Sequence, residues 1–281
     1  MKGCFHPLPG FFFVPRVVSG KKVHKPIIAS HLDQGLNLVR HPCLGGRRAF
    51  IAHPGNARLL SPIRAAKSLK TMCSSKLCKA ALDFLEYLSA EGEDLVGVTG
   101  SLAYDPRNAE DIDLVAYGPR IERVYKALRD LRKDGITLPF RGRGHAWSNS
   151  DYYLNNAIAS QRLLFGRYKG FEYNMRLVYC TKPARCTPIK VLGEAVLEAD
   201  IVSSISFSTP AFYLMRIRRI LGTDVALPTR LEYIHMMTFR LRYMEIPTGS
   251  RVIVKGEIES LEGVLRIVPD HAGFVHILSP P

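Results

Sequence analysis

Apolar and polar positions follow a helix, strand, strand, helix order in the middle of the chain. Between Ser74 and Ser89, apolar residues recur at helical spacing, which predicts an amphipathic helix. The short apolar run Leu95–Val98 follows, and after a polar stretch a second run ends at Tyr117. Both runs have the length of strands, and a second amphipathic pattern over residues 121–133 predicts another helix. This order predicts helices packed on a small mixed sheet.

The regions on either side of this core differ from it in character. Residues 1–70 form a basic region, for which the sequence predicts short strands and loops because short apolar runs alternate with Pro and Gly. Residues 71–195 hold the core. Residues 196–281 predict a helix over 210–221 followed by a β-hairpin module. The expected fold class is therefore α/β (α+β), and the two terminal regions could share one β-module.

Residues 170–179 predict a third strand of the core. Alternate side chains of a strand point to opposite faces, so this strand has a core side and a polar side. The core side would carry Tyr173, Met175 and Leu177, and the polar side Glu172, Asn174 and Arg176.

The charge of the chain is strongly positive. The formal net charge is +14, and the first 70 residues contain twelve Lys or Arg and one acid, Asp33. Such a field attracts polyanions, but it does not distinguish a nucleotide from a nucleic acid. We expect RNA as the polyanion, and the candidate contacts are Arg47, Arg48, Arg216, Arg218 and Arg219.

The chain shows no signal for a membrane or an oxidising compartment. No apolar run approaches the roughly 18 residues of a membrane span. The six cysteines form no CxxC motif, so a zinc site is not expected. At this chain length disulfides are not needed for stability, and the sequence therefore predicts a cytoplasmic protein with free thiols.

Two aspartates at the start of the second core strand are the main chemical feature. Asp111 and Asp113 would project from the same face about 7 Å apart, while Ile112 points into the core. Like charges on one face are unfavourable unless divalent cations lie between them. Paired carboxylates on a rigid strand suit two Mg²⁺ ions about 3.5–4 Å apart, an arrangement used for displacement at phosphorus.

Gly100 and Ser101, between the two strands, are candidates for phosphate binding. A glycine lets the backbone approach a phosphate closely, and a free N–H with a neighbouring hydroxyl can donate hydrogen bonds to its oxygens.

In these residues the chain resembles the nucleotidyltransferase superfamily typified by DNA polymerase beta. Nine residues separate Ser101 from Asp111 in the run GS-x9-DID-LVAY, which matches the superfamily's signature. Phrases along most of the chain also resemble an uncharacterised archaeal family of predicted nucleotidyltransferases.

The resemblance implies a reaction and further site residues. A nucleoside monophosphate would pass from an NTP to a hydroxyl acceptor, with two Mg²⁺ ions held by Asp111 and Asp113. A third metal-binding and catalytic acid comes from a later strand in the superfamily, and Glu172 is the best match. Arg176, on the same side of that strand, could offset phosphate charge.

Two other functions remain open at this stage. The chain could keep the fold as a nucleotide- or nucleic-acid-binding protein without catalysis. It could also be a nucleotidyltransferase that modifies a protein or a small molecule, in which case the basic surface would serve NTP capture or solubility.

Overall fold

The computed structural model describes residues 4–13, 15, 17–18, 21–22, 38–53, 55, 60–89, 96–144, 147–180 and 182–281. Leu95 and parts of the basic N-terminal region, among them residues 23–37 and 56–59, lie outside the described residues.

The described helices and strands are as follows. The helices are α1 (Pro62–Met72), α2 (Lys76–Ser89), α3 (Gly100–Tyr104), α4 (Ile121–Lys133) and α5 (Asn149–Ile158). The strands are β1 (Phe5–His6), β2 (Phe11–Phe13), β3 (Val17–Val18), β4 (Lys21–Lys22), β5 (Leu38–Arg40), β6 (Arg48–Ala52), β7 (Val96–Val98), β8 (Ile112–Tyr117), β9 (Thr137–Leu138), β10 (Phe165–Tyr168), β11 (Phe171–Val178), β12 (Ala184–Arg185), β13 (Lys190–Ile205), β14 (Ala211–Thr223), β15 (Tyr233–Thr238), β16 (Arg251–Leu261), β17 (Val264–Val268) and β18 (Phe274–Ser279).

The central core is a five-stranded mixed sheet in the order β7-β8-β11-β10-β9. Strand β8 pairs antiparallel with β7 and parallel with β11. Helices α2 and α4 bury their apolar stripes in the same core as the sheet. The predicted α/β class, the small mixed sheet and the two amphipathic helices are therefore confirmed.

The C-terminal part of the chain forms a closed β-barrel. Strand β13 pairs with both β14 and β16, which closes the five strands β13-β14-β15-β17-β16. One pair of neighbours, β15 and β17, is parallel, and β18 pairs antiparallel with β16. The predicted hairpin is present as β16 and β17.

The helix predicted over residues 210–221 is wrong, because this segment is strand β14. Ala211, Tyr213 and Met215 are fully buried in the barrel, whereas Phe212 and Arg216 are exposed. This alternation has the period of a strand. Pairing with β13 on one side and β15 on the other overrides the local helical pattern.

The region boundaries predicted at residues 70 and 195 both fall inside elements, namely α1 and β13. Helix α1 packs against the core strand β7, where a Cβ on Gly97 would overlap the backbone of Pro62 and Ile63. Arg47 of the N-terminal region contacts the barrel strand β16 through Glu257 and Glu259. The N-terminal region is thus attached to both the core and the barrel.

The prediction of free thiols is wrong, because all six cysteines form disulfides. The pairs are Cys4–Cys180, Cys43–Cys186 and Cys73–Cys78. The first two tie the N-terminal region to the segment between β11 and β13 across 176 and 143 residues. Disulfides persist in oxidising compartments and also in intracellular proteins of hyperthermophiles, so the cytoplasmic location stays a prediction.

Among the helices that the structure describes, none has both the length and the apolar character needed to cross a membrane.

Candidate active site

Asp111 directly precedes β8 and Asp113 is its second residue, on an interior strand of the mixed sheet. Ile112 between them is fully buried, as predicted, so the two aspartates share the opposite face of the sheet. In the parallel pairing with β11, Asp113 lies directly across from Asn174. The pair of carboxylates is therefore held by an interior strand with neighbours on both sides.

Gly100 lies directly against the carboxylate of Asp113. Its φ is +60°, and a Cβ at this position would overlap the side chain of Asp113. The preceding residue, Thr99, donates its backbone N–H to the carbonyl oxygen of Asp113 at 2.9 Å. Gly100 and Ser101 form the first turn of the short helix α3. The Gly-Ser bend and the aspartates, predicted to act together, are thus brought together.

Asn174 joins the two aspartates. Its side-chain nitrogen donates to Asp111 Oδ2 at 3.1 Å and to Asp113 Oδ1 at 3.2 Å. The sequence places Asn174 on the polar side of its strand but does not single it out for a role. The signal needed to find it is the register of β8 against β11, which no local pattern provides.

Glu172 shares the polar side of β11 with Asn174, as predicted, but lies two residues nearer the start of the strand. Its half-exposed carboxylate forms an ion pair with Arg167 Nη2 at 3.5 Å. The position opposite Asp113 therefore carries an amide and not an acid. The role of Glu172 as third metal-binding acid stays a prediction.

The electrostatics of the site favour a bound cation. Burial, together with the negative charges of Asp113 and Glu172, raises the pKa of Asp111 to about 6. A carboxylate surrounded by like charge is stabilised by a divalent cation, and carboxylate and amide oxygens are ligands that suit Mg²⁺. The carboxylates of Asp111 and Asp113 thus form a pair of ligands that fits this ion.

Arg176 connects the site with the barrel. Burial lowers its pKa, and the nearby charge of Asp113 opposes this shift. Its guanidinium donates from Nη1 to the backbone oxygen of Phe239 at 3.0 Å. Phe239 follows directly after β15, so Arg176 holds the end of this barrel strand beside the aspartates. Its predicted contact with a nucleotide stays a prediction.

The five arginines predicted to bind nucleic acid lie in different environments. Arg47 donates to Glu259 Oε1 at 2.7 Å and also pairs with Glu257. Its guanidinium therefore takes part in ion pairs that attach the N-terminal region to the barrel. Arg48 is exposed on β6.

The other three arginines lie together on β14. Arg216 and Arg218 both contact Asp200 Oδ2, at 3.4 and 2.5 Å. Arg219 pairs with the buried Glu198 at 2.5 Å and remains mostly exposed.

A possible metal-ligand group lies apart from the aspartates. The ligand atoms of His41, Cys43 and Cys186 all lie within 4.8 Å of one another. The two cysteines form a disulfide, and His41 Nδ1 accepts a hydrogen bond from the Cys43 backbone N–H at 3.2 Å. A cysteine binds zinc as a thiolate, so Cys43 and Cys186 supply no zinc ligand while their disulfide is formed.

Comparison with known proteins does not place the chain in a family. No protein-family model matches it, and a search of curated proteins finds no match.

Proposed function

We propose that the chain is a metal-dependent nucleotidyltransferase, which moves a nucleoside monophosphate from an NTP to a hydroxyl acceptor. The observation that carries the proposal is the packing of Gly100 against Asp113, with Asp111 beside it. A bend suited to phosphate and a cluster of carboxylates suited to a cation lie at the same point of the sheet.

The residues of the chain would divide the work as follows. Asp111 and Asp113 would hold Mg²⁺, which neutralises phosphate charge and lowers the pKa of the acceptor hydroxyl when it is bound. Gly100 would let the backbone approach a phosphate closely, and Ser101 would donate a hydrogen bond from its hydroxyl to a phosphate oxygen. Glu172 would favour the deprotonated acceptor if its ion pair with Arg167 opens. In such a reaction positioning and charge neutralisation supply most of the rate.

The net charge of +14 supports RNA as the acceptor, since a basic field concentrates polyanions. The resemblance to the polymerase beta superfamily supports an NTP as the donor. Neither feature selects a particular base.

A second candidate function is binding without catalysis. The feature that favours it is Asn174, which places an amide opposite Asp113 and cannot act as a base. The pairing of Glu172 with Arg167 points in the same direction.

Pyrophosphate release from NTPs, measured with Mg²⁺ and an RNA acceptor, separates the two candidates. Asp111→Asn and Asp113→Asn should each lower the rate about 100-fold or more, because each removes charge that holds the cation. Asp130→Asn is the matched control, since Asp130 is exposed on α4 away from the aspartates. Equal rates in the wild type and all three variants would exclude the proposed mechanism.

A further inference from the structure

We propose that the outer surface of strands β14 and β15 binds single-stranded nucleic acid. We define the aromatic–arginine face as Phe212 and Arg216 of β14 with Tyr233 and His235 of β15. All four side chains are exposed. Their sequence neighbours point the other way and fill the barrel interior, namely Tyr213, Met215, Ile234 and Met236.

The pairing of the two strands brings these residues onto one continuous surface. Arg216 lies directly opposite Tyr233, and Leu214 lies opposite His235. From Phe212 to Arg216 the strand advances about 13 Å. A stacked strand rises about 3.4 Å per nucleotide, so the face spans about four nucleotides, the lower end of the site size for small barrels that bind single strands.

Both aromatic side chains of this face are exposed. Phe212 is 41% and Tyr233 is 45% accessible, in strands whose inward residues are fully buried. Large exposed apolar side chains grouped on one surface mark a binding site more often than scattered ones do. Aromatic rings on a sheet surface can stack on the unpaired bases of a single strand, whereas the bases of a duplex are already stacked on each other.

Positive charge at one end of the face supplies the contact with phosphate. Arg216, Arg218 and Arg251 all contact the single carboxylate of Asp200. Three guanidinium groups that share one carboxylate leave a local surplus of positive charge, and each is between 39% and 45% exposed. A nucleic acid matches this combination of rings and cations, because it carries both bases and phosphates.

The strand arrangement agrees with this assignment. Five-stranded barrels of the oligonucleotide-binding type use the face of their second and third strands, and β14 and β15 hold these places in the closed barrel. This is an analogy of architecture, and the aromatic and basic residues carry the argument.

The Phe212 end of the face lies where the barrel is joined to the sheet of the candidate active site. Just before β14, Thr209 donates its N–H to the carbonyl oxygen of Leu177 in β11 at 2.7 Å. Just after β15, the carbonyl oxygen of Phe239 accepts from Arg176 of the same strand. A single strand bound along the face would therefore end near β11. The inference deepens the proposed function. Binding of a single strand does not depend on that function, and only the presentation of the strand as an acceptor rests on it.

The test is fluorescence anisotropy with a labelled oligouridine of about 12 nucleotides, the matching oligodeoxythymidine and a duplex of the same length. The buffer contains EDTA and no NTP, so binding is measured without any transfer reaction. We expect both single strands to bind more tightly than the duplex. Phe212→Ala and Tyr233→Ala should each weaken single-strand binding about tenfold.

The control for the aromatic variants is Tyr153→Ala, which removes an exposed ring of α5 outside the face. Phe212→Trp should restore binding, because a larger ring still stacks. Arg216→Ala should reduce the dependence of affinity on salt, whereas Phe212→Ala should leave that dependence unchanged. Thermal melting of each variant confirms that it is folded.

Wild-type affinity in both aromatic alanine variants would overturn the proposal, as would a preference for the duplex or an equal loss in Tyr153→Ala. Capture of a protein partner by the face with no affinity for the oligonucleotides would overturn it as well. The binding assay contains no NTP and no free Mg²⁺, so a failure of nucleotidyl transfer and a failure of this inference give different results.

Discussion

The Cα of Gly100 packs against the carboxylate of Asp113, at a backbone φ of +60°. This contact joins the bend between β7 and α3 to the strand that carries both aspartates. A hydrogen bond also holds the backbone of Asp113, because Thr99, next to Gly100, donates its N–H to the carbonyl oxygen of Asp113.

Gly100→Ala should therefore displace Asp113 and weaken Mg²⁺ binding. The added methyl group overlaps the carboxylate, and the left-handed backbone adds strain, so the free energy of unfolding should fall by about 2–4 kcal/mol. Gly135→Ala is the matched control, because Gly135 has a φ of +71° with no atom near the added Cβ. It should cost only about 1 kcal/mol. Chemical unfolding of both variants measures the difference in the free energy of unfolding. Equal losses in the two variants would show that the structure around Asp113 accommodates the added methyl group at no extra cost.

Asn174→Asp should make the stability of the protein depend on a divalent cation. A third carboxylate beside Asp111 and Asp113 raises the pKa of Asp111 further, which destabilises the fold at neutral pH. We expect a lower melting temperature than wild type in EDTA and recovery when Mg²⁺ is added.

Asn174→Ala is the control for this experiment, because it removes both hydrogen bonds without adding charge. Its melting temperature should fall without a larger response to Mg²⁺ than the wild type shows. Identical responses of the two variants to Mg²⁺ would contradict a cation site at the aspartates.

Arg162→Ala should be among the most destabilising substitutions in the chain. Arg162 is 1% exposed and donates to the backbone oxygens of Leu241 and Met244 at 2.6 and 3.1 Å, which ties the segment after α5 to the segment between β15 and β16. Its removal leaves Glu245 buried without its cationic neighbour, at a cost of about 3–5 kcal/mol.

Arg123→Ala on the exposed side of α4 is the comparison for Arg162→Ala, and it should change the unfolding free energy by less than about 0.5 kcal/mol. Denaturant unfolding measures both values. A loss below about 1 kcal/mol for Arg162→Ala, close to that of a surface substitution, would show that the buried network adds nothing.

Asp200→Asn should lower stability at neutral pH by up to about 1 kcal/mol and should have no effect at low pH. Hydrogen bonds from Arg251 and Arg218 lower the pKa of Asp200 from its ordinary 3.8 to about 2. A carboxyl whose pKa is lower in the folded state stabilises the fold above pH 3.8, and this contribution is lost as the pH falls through about 2. Unfolding of wild type and variant at several pH values gives the difference, and a difference that grows as the pH falls would contradict this ion cluster.

The parts of the fold that were predicted from the sequence are those set by local periodicity. The stripe of α4 and the alternation of Ile112 with Asp111 and Asp113 each follow from one element alone. The polar side of β11 was also predicted, because alternation along one strand needs no knowledge of its neighbours.

The parts that were missed depend on pairing between distant segments. Strand β14 reads locally as a helix, and only its pairing with β13 and β15 makes it a strand. The role of Asn174 depends on register, and the disulfide Cys4–Cys180 joins residues 176 positions apart. The burial of Arg162 also depends on a distant segment, because its acceptors Leu241 and Met244 lie between β15 and β16.

The central claim is that Asp111 and Asp113 hold a divalent cation together with a nucleotide. Its most direct test is calorimetric titration of Mg²⁺ into the protein in the presence of a non-hydrolysable NTP, compared with Asp113→Asn. We predict saturable binding to the wild type that is weakened about 100-fold in the variant. Equal binding to the two proteins, or no binding to either, would contradict the account.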